Sequence, residues 1–153
     1  MDTKRKNTIL TVIWGLITLG ILCFIFSNSL KNGEESAEQS SWFVDVFRAI
    51  FDPQHNLEDG VAITIVRKLA HFTEFAALGF SLSALLFVID RPSVKNAVIL
   101  PVFCCLLAAT TDEFIQSFTG RTSTARDVFI DFAGAVVGIL LVKLFVKIRS
   151  RKK

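Results

Sequence analysis

Four stretches of the sequence are apolar enough, and long enough, to span a lipid bilayer, which takes about 20 helical residues. They are residues 8–26, 66–89, 94–118 and 128–148. Apolar residues fill these stretches almost continuously, and their length favours membrane-spanning helices over strands. The first stretch follows a basic segment, but its apolar core is too long for a secretory signal peptide and no small-x-small cleavage site follows. We therefore interpret it as a signal anchor.

A polar connection, residues 27–65, separates the first two predicted spans. It begins with SNSLKNGEESAEQSS, which is polar and acidic and is predicted to form a flexible or turn-rich surface loop. It continues with WFVDVFRAIF at 42–51, where aromatic and aliphatic residues recur on one helix face. This second part is predicted to be a short amphipathic helix that lies in the membrane interface or packs over the bundle.

Basic residues are concentrated at the two ends of the chain, although the net charge is only +3. The clusters are Lys4, Arg5 and Lys6 before the first span, and Lys147, Arg149, Arg151, Lys152 and Lys153 after the last. The positive-inside rule then predicts cytoplasmic amino and carboxy termini, with residues 27–65 outside the cell. Such clusters can also bind nucleic acid, but beside membrane spans they are interpreted as anchors facing anionic lipid, and no nucleic-acid partner is expected.

The composition agrees with a membrane protein and sets the predicted fold class. The chain of 153 residues is 52% hydrophobic and contains fifteen Phe and no Tyr. Its mean hydropathy of +0.53 is well above that of a soluble domain. We predict an all-α polytopic membrane protein, in which residues 1–153 form one domain. Its four transmembrane helices form a bundle, and the helix at 42–51 is a short extracellular interfacial helix.

Three of the predicted spans carry ionisable or amide side chains near their outer ends. These are Arg67, His71 and Glu74 in RKLAHFTEF, Asp112, Glu113 and Gln116 in TDEFIQSF, and Asp127 and Asp131 in RDVFIDFAGAVVG. At a rise of 1.5 Å per residue, Glu74, Asp112 and Asp131 lie about 7–10 Å below the outer ends of their spans. A charged residue at the membrane centre costs about 2.5–3.5 kcal/mol, so three acids at one depth predict a shared polar pocket.

Two further features bear on this predicted pocket. Gly134 and Gly138 continue the helix face of Asp131, a small-xxx-small pattern that lets another helix approach closely. Arg121 and Arg126 flank a TSTA turn, and together they would suit a phosphate or carboxylate group. The competing interpretation is that the polar residues only hold the helices together, at about 0.6 kcal/mol for each hydrogen bond.

The segments KLAHFTEFAALG at 68–79 and TDEFIQSFTGRTSTARDVFIDFAGAVVG at 111–138 resemble the VanZ-like family of bacterial integral membrane proteins. The upstream FSNSLKNGEES is similar to the serine-rich segment of that family. The pattern residues of the family correspond to Lys68, His71, Glu74, Asp112, Glu113, Gln116, Arg121 and Asp127. Phe75 stands where the family usually has Tyr, which removes a hydroxyl, and Asp131 stands where it usually has Asn, which adds a charge.

The resemblance implies a protein of the bacterial cell membrane that contributes to resistance against teicoplanin-type glycopeptide antibiotics. These antibiotics act at the outer face on cell-wall precursors, and the family supplies no established reaction. The expected partners are membrane lipid and a lipid-linked cell-wall precursor or a lipoglycopeptide, and a homo-oligomer is compatible with the sequence. The candidate ligand-binding residues are Lys68, His71, Glu74, Asp112, Glu113, Gln116, Arg121, Arg126, Asp127 and Asp131.

Three functions compete at this point. In the first, the outward pocket binds an envelope ligand without turnover. In the second, the protein is a membrane-embedded enzyme in which His71, Glu74, Asp112 and Glu113 act as acid and base or hold a divalent metal. That mostly carboxylate set matches no single metal, so the sequence assigns no metal site, and the cofactor stays open. In the third, the protein is a small proton-coupled transporter or flippase.

Overall fold

The computed structural model describes residues 3–90, 96–120 and 124–151. Within these ranges the chain forms five α-helices and no strands, so the predicted all-α class is confirmed. The helices are α1 (Thr3–Ser29), α2 (Gly33–Phe51), α3 (Asp59–Asp90), α4 (Asn96–Phe118) and α5 (Ala125–Arg151).

Four of these helices, α1, α3, α4 and α5, are long and apolar enough to cross a membrane. This confirms the predicted number of spans. The helix α3 begins at Asp59, well before the predicted start at residue 66. At 1.5 Å per residue its 32 residues measure about 48 Å, which exceeds the apolar thickness of a bilayer. The first turns of α3 therefore extend beyond the apolar layer.

The connection between the first two spans differs from the sequence prediction. The prediction of a flexible loop over 27–41 is wrong, because α1 continues to Ser29 and α2 already begins at Gly33. The physical reason is a capping box. The Asn32 side chain accepts the Glu35 N–H at 2.9 Å, and the Glu35 carboxylate accepts the Asn32 N–H at 3.1 Å. The amphipathic helix predicted for 42–51 is the second half of α2.

The end of α2 is fastened to the start of α3 by Arg48, a residue that is only 6% exposed. Its guanidinium donates to Asp52 at 3.1 Å, to Asp59 at 2.6 Å and to the carbonyl of Leu57 at 3.2 Å. Burial alone would raise the pKa of Asp52. The N–H groups of Leu57 and Asn56, together with Arg48, outweigh burial and hold this pKa below its usual value.

The helix α3 is central, since it packs against α1, α2, α4 and α5. Its closest approach is to α5, where glycines bring the two backbones into contact. A Cβ atom added to Gly138 would overlap the carbonyl oxygen of Ala76, and one added to Gly134 would overlap that of Phe72. Gly79 of α3 faces Ala135 in the same way. The close approach predicted from Gly134 and Gly138 is confirmed.

Small residues dominate the interior, whereas many of the largest apolar residues point outward. The main buried cluster consists of Ile25, Phe75, Leu78, Cys105, Ala108, Ala109 and Ala135. On the outer faces of the spans, side chains such as Leu16, Phe103 and Phe145 are exposed. An exposed apolar surface of this extent is anomalous for a soluble monomer, but it is the surface that helices in a bilayer present to lipid.

The glycine contact can be tested with Gly138→Ala. The added methyl group would meet backbone atoms of α3, which cannot rotate away, so we expect a loss of about 1–3 kcal/mol of stability. The matched control is Gly20→Ala on α1, where no atom lies within 4 Å of the added Cβ and no loss is expected. Unfolding in detergent by heat or by titration with SDS measures both. Equal stability of the two variants would contradict the close approach.

The attachment of α2 can be tested with Arg48→Ala. Removing this buried guanidinium takes away the cation shared by Asp52 and Asp59, so amide hydrogen exchange in α2 is expected to become faster. Asp59→Asn is the control, because Asp59 is 93% exposed and its ion pair is screened by water. Because the pKa of Asp52 is lowered, its ionised form contributes fully to folding stability well above pH 3.8, and this contribution is lost as pH falls from there through the lowered value. An unchanged α2 in Arg48→Ala would exclude this anchor.

Candidate functional site

Buried polar side chains gather at one end of the bundle, where α1 and α4 end and α3 and α5 begin. We call this the polar end. The buried residues that define it are Ser29, Arg48, Asp52, Asp112, Glu113, Gln116 and Asp131. The opposite end, where α1 begins and α5 ends, carries the exposed basic residues Lys4, Arg5, Lys6, Lys147, Arg149 and Arg151.

At the centre of the polar end lies Asp112 on α4, which is 0% exposed. One carboxylate oxygen accepts a hydrogen bond from the Ser29 hydroxyl at the end of α1. The other accepts the side-chain amide of Gln116, one turn further along α4, at 2.6 Å. These two donors hold the carboxylate in a fixed orientation and join α1 to α4. Ser29 was not among the residues predicted for the site.

His71 of α3 lies between two carboxylates from neighbouring helices. Its Nδ1 atom is 3.7 Å from Oδ2 of Asp112 and 4.0 Å from Oδ1 of Asp131. One potential ligand atom from each of the three side chains lies within 4.8 Å of the others. The structure thus brings α3, α4 and α5 together through these residues, at the shared depth that the rise per residue predicts for the two aspartates.

Glu74, the third acid expected at this depth, faces a different neighbour. Its Oε1 atom accepts the side-chain amide of Asn28 on α1 at 3.2 Å. The Lys31 ammonium in turn donates to Asn28 Oδ1 at 3.1 Å. Glu74 therefore belongs to the α1 side of α3, whereas Asp131 meets His71 from the α5 side.

Lys68 and Asp127 form an ion pair between α3 and α5. Asp127 also accepts the Thr124 hydroxyl at 2.8 Å, which places it at the first turn of α5. Arg126 is exposed beside this pair. Arg121, with most of the TSTA turn, lies outside the described residues, so the anion site expected around it stays a prediction.

In the part of the chain that the structure describes, two cavities open at the polar end, on opposite sides of α3. The larger one, about 500 Å³, lies between α1, α2 and α3. Its lining includes Phe24, Phe43, Phe47, Leu69, Asn28, Arg67, His71 and Glu74. The smaller one, about 260 Å³, lies between α3, α4 and α5. Its lining includes Lys68, Glu113, Gln116, Arg126, Asp127 and Asp131. Arg67 and His71 line both cavities and so form the wall between them.

The list of predicted site residues omits Asn28, Ser29 and Arg67. Asn28 and Ser29 stand at the polar end of the first span, a position that marks their depth but not the helix they face. Arg67 shares a helix face with His71 through its i, i+4 spacing. Its buried Nε atom has no hydrogen-bond acceptor among the residues that the structure describes, so it remains available to a ligand.

The sequence matches the VanZ/LLP1 family model over residues 14–146. The protein belongs to the VanZ/LLP1 family. The matched region contains the whole polar end described above, from Asn28 to Asp131, and the resemblance seen in the sequence is confirmed. Comparison with curated proteins and with solved structures gave no match.

The hydrogen bond from α1 to Asp112 in this VanZ/LLP1 protein can be tested with Ser29→Ala. Loss of the hydroxyl removes one of the donors to a fully buried carboxylate, which is expected to cost about 1–3 kcal/mol. Ser27→Ala, an exposed serine two residues earlier, is the matched control and should change stability by less than about 0.5 kcal/mol. Thermal unfolding in detergent gives both values. A Ser29→Ala variant as stable as Ser27→Ala would show that α1 does not hold Asp112.

Proposed function

We propose that this VanZ/LLP1 protein binds a lipid-linked or other cell-envelope ligand at the outer face of the bacterial cell membrane. Through this binding it contributes to resistance against teicoplanin-type glycopeptides. The observation that carries the proposal is the larger cavity, which combines an apolar side wall with a polar floor. An amphiphilic ligand has the same two-part chemistry.

The side wall of the larger cavity suits an acyl or polyprenyl chain. The helix α2 contributes Phe43, Phe47 and Phe51, and α1 contributes Phe24. Several of these aromatic side chains are exposed, so the wall is open to an apolar chain that enters from the side. Burying an apolar chain against such a surface contributes about 25 cal/mol per Å² of surface removed from water.

The floor of the larger cavity suits an anionic or hydroxyl-bearing headgroup. Arg67 supplies a buried guanidinium nitrogen with no acceptor among the described residues. A buried donor without an acceptor is costly, and a ligand phosphate or carboxylate would satisfy it with a charge-assisted hydrogen bond. His71, Glu74 and Asn28 surround the same floor and add both donors and acceptors for a sugar or peptide group.

The proposed orientation places the polar end outside and both termini in the cytoplasm. The distribution of basic residues supports it, since the two terminal clusters lie at the end opposite the polar end. Glycopeptides act outside the cell, which is where this orientation puts both cavities. Labelling of single cysteines tests it: Ser41→Cys should react with an impermeant reagent in intact cells, and Ser150→Cys only after lysis. The reverse pattern would overturn the orientation.

A membrane-embedded enzyme is the second candidate, and one observation favours it. His71 lies 3.7 Å from the buried Asp112, a pairing that can orient an imidazole for acid and base chemistry on an envelope substrate. A proton-coupled transporter has less support. Among the described residues, every buried Asp, Glu and Arg side chain lies at the polar end, so none continues a path for protons through the other half of the bundle.

The resistance role can be tested in a susceptible bacterium that expresses the protein. Wild type is expected to raise the minimal inhibitory concentration of teicoplanin. Arg67→Gln and Glu74→Gln should lose most of that increase, because each removes a charged group from the floor of the larger cavity. Glu38→Gln, an exposed residue of α2 outside the cavity lining, is the matched control and should act as wild type. Full resistance in both cavity variants, at equal protein levels, would remove this cavity from the function.

Binding and turnover are separated with purified protein in lipid nanodiscs. A lipid-linked cell-wall precursor should bind, and Arg67→Gln should weaken its affinity about tenfold or more, as expected for a lost hydrogen bond to a charged group. Mass spectrometry of the recovered precursor tests for turnover. An unchanged precursor supports binding alone, whereas a cleaved or transferred headgroup would replace this proposal with the enzyme.

A further inference from the structure

Three side chains from three different helices converge beside the smaller cavity. His71 comes from α3, Asp112 from α4 and Asp131 from α5, and one potential ligand atom of each lies within 4.8 Å of the others. The Nδ1 atom of His71 faces both carboxylates. The set differs from the four residues that the sequence suggests for a metal-assisted enzyme, because Asp131 takes the place of Glu74 and Glu113.

Asp131 supplies a second observation that points to a ligand at this position. The residue is only 2% exposed, yet its Oδ2 atom accepts no hydrogen bond from any residue that the structure describes. Nδ1 of His71 lies 4.0 Å from the other oxygen. A buried carboxylate oxygen without a hydrogen-bond donor is strongly unfavourable. A cation bound at this oxygen would remove that cost.

Asp112 is already held as a metal ligand would be. Ser29 and Gln116 each donate to one of its oxygens, which fixes the plane of the carboxylate with Oδ2 3.7 Å from Nδ1 of His71. Hydrogen bonds from outer residues that orient a ligating carboxylate are a general feature of metal sites. They stabilise the ligand position before any ion arrives.

We propose that His71, Asp112 and Asp131 bind one divalent transition-metal ion, with Mn²⁺ and Zn²⁺ as the favoured ions. The donor set is one imidazole nitrogen and two carboxylate oxygens, and the imidazole favours these ions over Mg²⁺ and Ca²⁺. The two carboxylates carry the charge that balances a divalent cation in a low-dielectric interior. The smaller cavity, lined by His71 and Asp131, provides room for water at the remaining coordination positions.

The geometry requires only a small contraction. Ligand atoms about 2.1 Å from a tetrahedral ion lie about 3.4 Å from one another, compared with at most 4.8 Å here. Side-chain rotation of less than about 1 Å at each atom closes that difference. The metal site can be tested apart from the proposed function, because it does not require a lipid-linked ligand and Arg67 is not one of its three ligands.

The site is tested with full-length protein in lipid nanodiscs, purified with a tag that contains no histidine and stripped of metal. Mn²⁺ is the main probe, because it prefers oxygen and nitrogen ligands and so avoids the three cysteines. Calorimetric titration, with the loss of the free Mn²⁺ signal in electron paramagnetic resonance, should show one ion for each chain. Zn²⁺ should compete for the same site, whereas Mg²⁺ at the same concentration should not.

Asp131→Asn keeps the shape of the side chain and removes its charge. It should weaken Mn²⁺ binding by at least about 100-fold, because loss of a residue that only orients a ligand already costs up to about that factor. His71→Gln is the second ligand variant and should weaken binding likewise. Asp45→Asn, an exposed aspartate of α2, is the matched control and should bind as wild type. Circular dichroism without metal confirms that each variant is folded.

Two results would overturn the site: no stoichiometric binding of Mn²⁺ or Zn²⁺ by wild type, or equal binding by Asp131→Asn and Asp45→Asn. Either result leaves the resistance role untouched, because loss of teicoplanin resistance in Arg67→Gln is measured separately. Metal binding by wild type that is lost in both ligand variants supports the site.

Discussion

The contact between the backbones of α3 and α5 is the constraint on which the rest of the polar end depends. Gly134 and Gly138 lie directly against the carbonyl groups of Phe72 and Ala76, so any larger residue at either position would force the two helices apart. His71 precedes Phe72, and Asp131 lies one turn before Gly134. The glycine contact therefore sets the imidazole against the carboxylate. The bilayer provides no hydrophobic force between helices, so close packing of the two backbones has to fix the position of α3 relative to α5.

The helices α1 and α4 complete the site through hydrogen bonds between polar groups that would be costly to leave unpaired in the membrane. Asp112 of α4 is fully buried, and the Ser29 hydroxyl in the last turn of α1 donates a hydrogen bond to it. The neighbouring Asn28 meets Glu74 on the other side of α3. Unpaired polar groups are expensive in an apolar medium, so these contacts fix the depth of α1 and α4 relative to α3. Packing and polar pairing thus specify the same arrangement.

Much of this arrangement could be predicted from the sequence, since depth in a membrane follows from counting residues along a span. The count places Asp112 and Asp131 at one level, where the structure has them beside His71. The residue count cannot tell which side of α3 each group faces, because that depends on how each helix is rotated about its axis. The structure shows that Glu74 faces α1, away from the two aspartates. The start of α2 is a different case. The spacing of Asn32 and Glu35 is the sequence pattern of a capping box, which predicts a helix start. The polar composition of the segment favoured a loop instead, and that interpretation was wrong.

The wall shared by the two cavities has a consequence for how they would respond to ligands. Arg67 and His71 line both spaces, so a ligand in either cavity would contact side chains that the other cavity also uses. An occupant that fixes either side chain on one side changes the groups available on the other. Thermodynamic linkage then requires the effect to be mutual: the factor by which the first occupant alters the affinity of the second is the factor by which the second alters the first. Ligands bound in the two cavities would therefore be coupled through Arg67 and His71.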